Sequence, residues 1–571
     1  MARAANLLPE IIRLILRAAA ASSASETGGS TLAEWKQNLP LLGVCHRWRA
    51  LGVPLVYSQV IVESSGEKDS DEVITNAELF GRAHGQPTDM ARRLMVSMAA
   101  HAQVGMFLGK VCDSLVQSAY GSGQQWRRVH TVTLDLCAGG PYMFASTPEG
   151  NNAGAQAKTP RALADRLARV LPGVQTLHCA PSQNIGDCAE FTACFADNYA
   201  HRIERLKTHV HAPFTAATMP NLRMLDLFFF LSSVQLSVPR VDARLLRRMS
   251  LVNVSAEFAW GSLFPRQIEA AGGAGKVAMF ESLRRMHLFF HTHVDVFESN
   301  TRATELLGAQ YWRRLSFPEL QNLCTDNSAS AATLLGSAHF PDRVAEFRVF
   351  FPEGAIISIK NADFSADARR RIAAHMAGPG DTQGPWDFVR LTNCIFTPST
   401  TECSVPGDSK HEEDLSLTIG AHMFLPKPSV IAWSALTRLS IGAPICPFAL
   451  AQYIGALSGL LELRVHSMQL GAVILRSPDT NVTSGSDDDN LCLWPPSSAA
   501  CSISKSPIRF LALAFDVDDN GDIATSVVEH LASGLPCIHT LCIPDPVVPR
   551  IQAFAASQHA VYPHLANLSV H

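Results

Sequence analysis

The sequence predicts an α/β protein, built as a small N-terminal helical module followed by an irregular α/β solenoid. Three observations carry this. Two amphipathic blocks open the chain, one short apolar template then returns along most of its length, and helical segments stand between several copies of that template. The template reads apolar, two residues of any kind, apolar, two of any kind, apolar, one of any kind, apolar.

Its full copies are Trp126, Val129, Val132, Leu134; Leu171, Val174, Leu177, Cys179; Met219, Leu222, Leu225, Leu227; and Phe280, Leu283, Met286, Leu288. Four more begin at Trp433, Leu457, Leu535 and Tyr562, and partial copies begin at Leu246, Phe317, Val344, Phe388 and Ile508. The closing apolar-any-apolar step has period two, the mark of a strand with one buried face. The three-residue steps before it bring the chain out of a helix, as after Arg161–Val170, where Leu163, Leu167 and Val170 share one side. One helix and one strand per unit, stacked so that neighbours cover each other's apolar faces, make a solenoid.

The N-terminal blocks have their own logic. Leu8, Ile11, Ile12, Ile15 and Leu16 form an apolar stripe at helical spacing, opened by Pro9 and Glu10, which suit a first helical turn. A second stripe holds Leu41, Val44, Cys45, Trp48 and Leu51, and the loop Ala21–Gln37, rich in Ala, Ser, Gly and Thr, separates the two. Two such helices cannot bury both stripes against each other; they need the rest of the chain or a partner.

Leu7-Leu8-Pro9-Glu10-Ile11, then Val44-Cys45 with Trp48-Arg49 and Leu51, then Pro54-Leu55-Val56-Tyr57, resembles the F-box, in particular its fungal variety. The resemblance implies docking onto a Skp-type adaptor of a cullin–RING ubiquitin ligase, with Leu8, Pro9, Glu10, Ile11, Leu14, Ile15, Leu42, Val44, Cys45 and Trp48 at the adaptor interface. The repeated Leu-x-x-Leu-x-Leu core resembles leucine-rich repeats, especially the divergent ones that follow F-boxes in fungal proteins. The copies are spaced more widely than the usual leucine-rich period, and the Asn or Cys expected after the last apolar residue survives most clearly as Cys137 and Cys394.

The expected organisation is therefore an F-box-like module over 1–62, a linker and helical spacer over 63–125, and the solenoid over 126–571 with loop insertions. In the spacer, Leu94, Met95, Met98, Val104, Phe107, Leu108, Val111 and Leu115 suggest one or two helices. Low-complexity stretches at 138–160, 398–414 and 477–507 read as surface insertions.

Composition narrows the function. The 571 residues are 47% apolar and 17% charged, enough to bury a core and too much for one compact domain. A net charge of −4 and a pI near 6.6 give no overall basic footprint for nucleic acid. No apolar run is long enough to span a membrane, and no signal peptide is evident, so the expected location is intracellular, cytoplasmic or nuclear. The 14 cysteines contain no Cys-x-x-Cys pair and read as reduced thiols.

Candidate chemistry is sparse. Gly272–Lys276 imitates a phosphate loop but has Val277 where Ser or Thr should hold magnesium. Asp516–Asp522 copies the front of an EF-hand loop, yet Val527 stands in place of its closing Glu. His287, His291 and His293 cluster with only Asp295 near ligand spacing. No cofactor, metal site or catalytic residue is expected.

That leaves binding. Residues between the apolar pairs of each strand face away from the core: Thr133, His178, Asp226, Ser250, His287, Arg348, Ser440, Arg464, Cys542 and Ser569. Of these, Asp226, His287, Arg348 and Arg464 are the candidate substrate-binding residues. The expected function is substrate recognition in an SCF-type ubiquitin ligase, with an unidentified protein as substrate. The alternative is a repeat scaffold, without ligase function, whose N-terminal helices only cap the solenoid.

Overall fold

The computed structural model describes residues 32, 36, 46–64, 73–77, 90–98, 104–118, 125–136, 159–179, 187–210, 214, 218–229, 238–254, 260–270, 277–290, 312–351, 355–376, 414–420, 436–470, 473–475, 492–494, 506–515, 521–557, 565 and 567–570. The chain divides into two compact units, Met1–Glu319 and Leu320–His571, and each is a mixed α/β body on a mostly parallel sheet.

In the first unit, helix α1 (His46–Val56) leads into β1 (Gln59–Ser64), β2 (Val73–Thr75) and β3 (Arg93–Ser97). Helix α2 (Val104–Ser118) then precedes β4 (Thr131–Asp135), α3 (Pro160–Val170) precedes β5 (Thr176–Cys179), and α4 (Asp187–Asp197) precedes β6 (Arg205–Val210). The run continues through β7 (Thr218–Met219), β8 (Met224–Phe229), β9 (Arg240–Val241), β10 (Arg248–Val254), α5 (Trp260–Leu263), α6 (Pro265–Ala270), β11 (Ala278–Met279), β12 (Arg285–Phe290) and β13 (Leu315–Ser316). The main sheet is ordered β2-β1-β3-β4-β5-β6-β8-β10-β12, all pairs parallel except β1–β2. The two-residue strands pair separately, β7 with β9 and β11 with β13.

Two apolar rows cross this sheet in register. One holds Val60, Leu94, Val132, Leu177, Leu206, Leu225, Met249 and Met286; the next holds Val62, Val96, Leu134, Cys179, Thr208, Leu227, Leu251 and Leu288. Every member is buried. The template's earlier positions are buried as well, and they tie helices to strands. Trp126 donates its indole N–H to the Leu115 carbonyl at the end of α2 (2.9 Å), and the Tyr199 hydroxyl donates to the Leu171 carbonyl (2.7 Å). Phe264, Phe280 and Phe317 continue the layer with ring centroids about 5 Å apart.

Two polar devices hold the first unit's edges. Asn76 is fully buried; its Oδ1 accepts from the Ile61 N–H (2.8 Å) and its Nδ2 donates to the Gln59 carbonyl (3.1 Å), completing the outer edge of β1 where β2 has not yet begun to pair. Asp242 is also fully buried and accepts from Arg244 through two guanidinium nitrogens, from Arg266 Nη1 (2.9 Å) and from Gln267 Nε2 (3.1 Å). Burial alone would raise this carboxyl, but the hydrogen bonds from Arg244, Gln267 and Arg266 outweigh it and hold the group at about 2.

The second unit opens with β14 (Asn322–Asp326), α7 (Ala329–Ser337), β15 (Arg343–Phe350), β16 (Ile356–Asp363) and α8 (Ala366–Met376). It continues with β17 (Asp414–Ile419), β18 (Leu436–Ile441), α9 (Pro447–Ala456), β19 (Glu462–Met468), β20 (Val473–Leu475) and β21 (Cys492–Trp494), and ends with β22 (Phe510–Phe515), α10 (Gly521–Gly534), β23 (Thr540–Ile543), α11 (Val548–Ser557) and β24 (Asn567–Val570). Its main sheet runs β14-β15-β16-β17-β18-β19-β22-β23-β24, parallel except at β16, which is antiparallel to both neighbours. Buried Arg369 closes the end of α7, donating to the Leu335 and Ala338 carbonyls (3.0 and 2.7 Å) with its guanidinium over the Phe340 ring.

One expectation is corrected. Leu94 and Met95, read as part of a helical stripe, lie in strand β3, whereas Val104–Ser118, with the rest of that stripe from Val104 on, is helical. Two adjacent apolar residues fit either period, and pairing with β1 and β4 decides for the strand. The stretch 63–125 supplies β2, β3 and α2 to the first unit. The second unit's parallel run is interrupted by the β15–β16 hairpin, whose second strand carries no copy of the template.

Two outcomes follow. A Cβ on Gly173 would collide with the Arg127 carbonyl oxygen, so Gly173→Ala is expected to cost about 2 kcal/mol in urea unfolding of the full chain. Asp242→Asn is expected to cost about 2 kcal/mol at neutral pH, since it removes the charge that the hydrogen bonds of Arg244, Gln267 and Arg266 stabilise. Because the folded value lies below the ordinary 3.8, the Asp242 contribution is complete above that pH and is lost as pH falls toward about 2; the gap between wild type and variant should close over that interval.

Candidate binding surface on the open sheet faces

Strand alternation places every residue between two core positions on the opposite face, where most are half-buried and Ile61, Met95, Ser250 and Ala512 are buried. In the first unit, Thr133, His178, Asp226, Ser250 and His287 fall on one row, each opposite the next member or opposite Lys207, which stands between His178 and Asp226. A row nearer the strand starts holds Arg93, Thr131, Thr176, Arg205, Met224, Arg248 and Arg285. A third row, toward the strand ends, includes His209, Phe228, Val252 and Phe289.

The chemistry changes along these rows. At one end Ile61 and Met95 are buried, and Leu32 packs on Ile61 while donating its N–H to Glu63 Oε1 (2.8 Å). A residue of the stretch read as a simple loop thus covers the first strand of this face. Toward the other end the surface is polar and aromatic. His209 stacks on Phe228 (5.0 Å), Lys207 Nζ sits 5.9 Å from the same ring, and Arg248 Nε lies 3.5 Å from Asp226 Oδ1. Those last two atoms are buried yet form no hydrogen bond, so the ion pair is loose. Burial, and then Lys207, push the His178 imidazole below its ordinary value, leaving it neutral at pH 7. After Val252, Asn253 adopts a left-handed conformation (φ 59°) where the β10–β12 register shifts, a bulge that re-aims the last turn of the strand.

In the second unit, Arg348 lies opposite Cys324 and Ser358, while Ser440, Arg464, Cys542 and Ser569 follow one row with Ala512 between Arg464 and Cys542. Both candidate arginines are clamped by a glutamate two residues earlier on the same strand. Glu346 accepts from Arg348 (2.8 Å to Nε) and from Ser358 (3.0 Å); Glu462 accepts from Arg464 (2.7 Å to Nε). Burial alone would raise Glu346, but the hydrogen bonds of Arg348 and Ser358 hold it below its ordinary value. Arg464 also lies 4.9 Å over the Phe510 ring, Ser440 meets His466 (3.0 Å), and Cys542 meets Ser569 (2.9 Å). These pairs fix the side chains in defined orientations, which lowers the entropy lost when a partner binds.

Asp226 and His287 therefore share a row on the first unit, and Arg348 and Arg464 belong to different rows of the second. Sequence reasoning missed Lys207, Arg205 and the glutamate clamps. The strand at Arg205–Val210 was hidden because Thr208 occupies a core position where the template expects an apolar residue, although Ile203 and Leu206 keep the spacing. The short pattern Ala91, Leu94, Val96 was equally available for β3.

Of the adaptor residues, Leu8, Pro9, Glu10, Ile11, Leu14, Ile15, Leu42, Val44 and Cys45 lie outside the described residues, as do the glycine-rich loop at 272–276, Asp516–Asn520, His291 and His293. Trp48 is described, and it is 5% exposed within this chain. Within this chain the side chain is therefore packed as core. Among the described residues no group of three His, Cys, Asp or Glu side chains is placed to hold a metal. Burial pushes the Cys112, Cys179 and Cys324 thiols up to about 12, which makes them inert apolar groups. No helix among the described residues is long and apolar enough to cross a membrane. The chain matches no protein-family model and no curated protein.

Trp48→Ala should accordingly act as a core truncation, lowering stability by about 3 kcal/mol in chemical unfolding. A Trp48 variant as stable as the wild type would show that the side chain is not core.

Proposed function

We propose that the chain is a substrate-recognition subunit of an SCF-type cullin–RING ubiquitin ligase, built as an F-box-like segment followed by an irregular leucine-rich-repeat-like solenoid. The N-terminal segment meets a Skp-type adaptor and the open sheet faces hold a protein substrate. The observation that carries the binding half is the unbroken register of polar side chains on strands that follow one another in sequence, several held by ion pairs and ring contacts. Such a surface offers hydrogen-bonding, charged and aromatic groups in fixed positions, which suits another polypeptide. The adaptor half is supported by the stripe Leu8, Ile11, Ile15 and the block that follows it. The role is one of proximity: adaptor and substrate held on one chain raise the effective concentration of a substrate lysine near the ubiquitin-loaded enzyme.

The scaffold reading has its own support. Trp48 is buried and Leu32 covers Ile61, so part of the N-terminal segment already has its partner within the chain. The two readings separate on the stripe of residues 8–15. Full-length protein is co-purified with a Skp-type adaptor beside an Ile11→Asp/Ile15→Asp variant, with circular dichroism recorded on each. Adaptor capture by the wild type and its loss in an equally folded variant supports the ligase subunit. Absence of capture by folded wild type makes the chain a repeat scaffold.

A further inference from the structure

Six arginines converge where four neighbouring strands of the first unit begin. Arg205 opens β6, Arg223 immediately precedes β8, Arg247 and Arg248 lead into β10, and Arg284 and Arg285 lead into β12. Their backbones are stitched together: Arg247 N–H donates to the Arg223 carbonyl (2.8 Å) and Arg284 N–H to the Arg247 carbonyl (2.9 Å). Adjacent strands are about 4.8 Å apart, so these side chains start within about 15 Å of one another. Five of the six are exposed and Arg248 is half-buried.

Two carboxylates answer them, Glu204 at 3.7 Å from Arg223 and Asp226 at 3.5 Å from Arg248. Arg205, Arg247, Arg284 and Arg285 make no ion pair among the described residues, and Glu281 in the turn before β12 makes none with them. Concentrating like charge in a chain of net charge −4 destabilises the folded state, so packing does not account for it. Beside the cationic edge lie the Asp226, Ser250, His287 row and then the half-buried Phe228, Val252, Phe289 row.

From this juxtaposition we infer that the leading edge of β6, β8, β10 and β12 binds an acidic polypeptide segment, with carboxylates on the arginines and an apolar side chain on the Phe228–Phe289 row. This rests on the reading of the first unit's open face as a protein-binding surface and names the chemistry of what it holds. A nucleic-acid backbone suits the surface less well, since the arginines are flanked by a row that includes aliphatic Val252 between Phe228 and Phe289. Arginine's planar fork matches a carboxylate through two parallel hydrogen bonds, which gives orientation as well as attraction.

The test uses the full-length chain and three labelled probes in fluorescence anisotropy: a Glu/Asp-rich peptide containing one Leu, the same peptide with Gln and Asn in place of its acids, and a single-stranded DNA oligonucleotide of equal charge. The acidic peptide should bind, weaken as salt rises, and exceed both other probes. An Arg247→Glu/Arg284→Glu variant should bind it at least about tenfold more weakly, a loss of the size that reversing close charge pairs produces. The same variant should keep its circular dichroism and unfold no earlier than wild type, since it relieves repulsion. DNA binding tighter than the peptide, equal binding of the neutral peptide, no peptide binding at all, or peptide binding indifferent to the variant each overturns the inference. Adaptor co-purification of this variant keeps the two conclusions apart. Retained adaptor with failed peptide binding removes only the acidic ligand, whereas peptide binding without any adaptor leaves the cationic edge standing and removes the ligase role.

Discussion

The backbone ladder that joins the first residue of each strand to the strand before it is the constraint on which the first unit depends. His130 N–H bonds to Arg92 O, Gln175 to His130, Glu204 to Gln175, Arg223 to Glu204, Arg247 to Arg223 and Arg284 to Arg247, at 2.7–3.0 Å. Because the same backbone position is used each time, every strand starts level with its neighbour, and the alternation of core and open residues cannot drift. The apolar rows, the polar row and the arginine edge are all consequences of that one repeated bond. Where the alignment slips, at Asn253, the departure is local and the rows before it are unaffected.

The parts of the fold that were legible were those in which local pattern and tertiary pairing agree. Val132 with Leu134, Leu225 with Leu227 and Met286 with Leu288 announce strands because both members face the core. Thr208 shows the limit: it is buried in a core row, but a hydroxyl carries no hydrophobic signal, so its strand stayed hidden. Leu94 and Met95 misled for the reverse reason, since both faces of β3 are covered and adjacent apolar residues then lose the period that distinguishes strand from helix. The open-face residues followed correctly once the register was right, because a single face assignment fixes a whole row. Which of them pair was not legible. The clamp of Arg348 by Glu346, with Ser358 reaching over from the next strand, depends on an antiparallel hairpin that no repeat foretold.

The two units solve the same problem of a polar open face with different chemistry. The second pairs Arg348 with Glu346 and both Arg438 and Arg464 with Glu462, and stacks Arg464 on Phe510. The first pairs Arg244 and Arg266 with the buried Asp242 but leaves four others at the strand starts without a counter-charge among the described residues. Charges that are matched within the chain contribute to stability and orientation, while unmatched ones generate a field that reaches outward about a Debye length, roughly 8 Å at physiological salt.

Asn76 has a consequence for assembly. A sheet of parallel strands that ended on an unsealed strand would offer its outer N–H and C=O groups as a template, and a second copy docking there would in turn expose its own far edge, a geometry that propagates as a filament. The carboxamide occupies two of those backbone groups on β1, and the three residues of β2 take up the next part of the edge. One asparagine therefore closes the stretch of β1 that the short strand β2 does not reach.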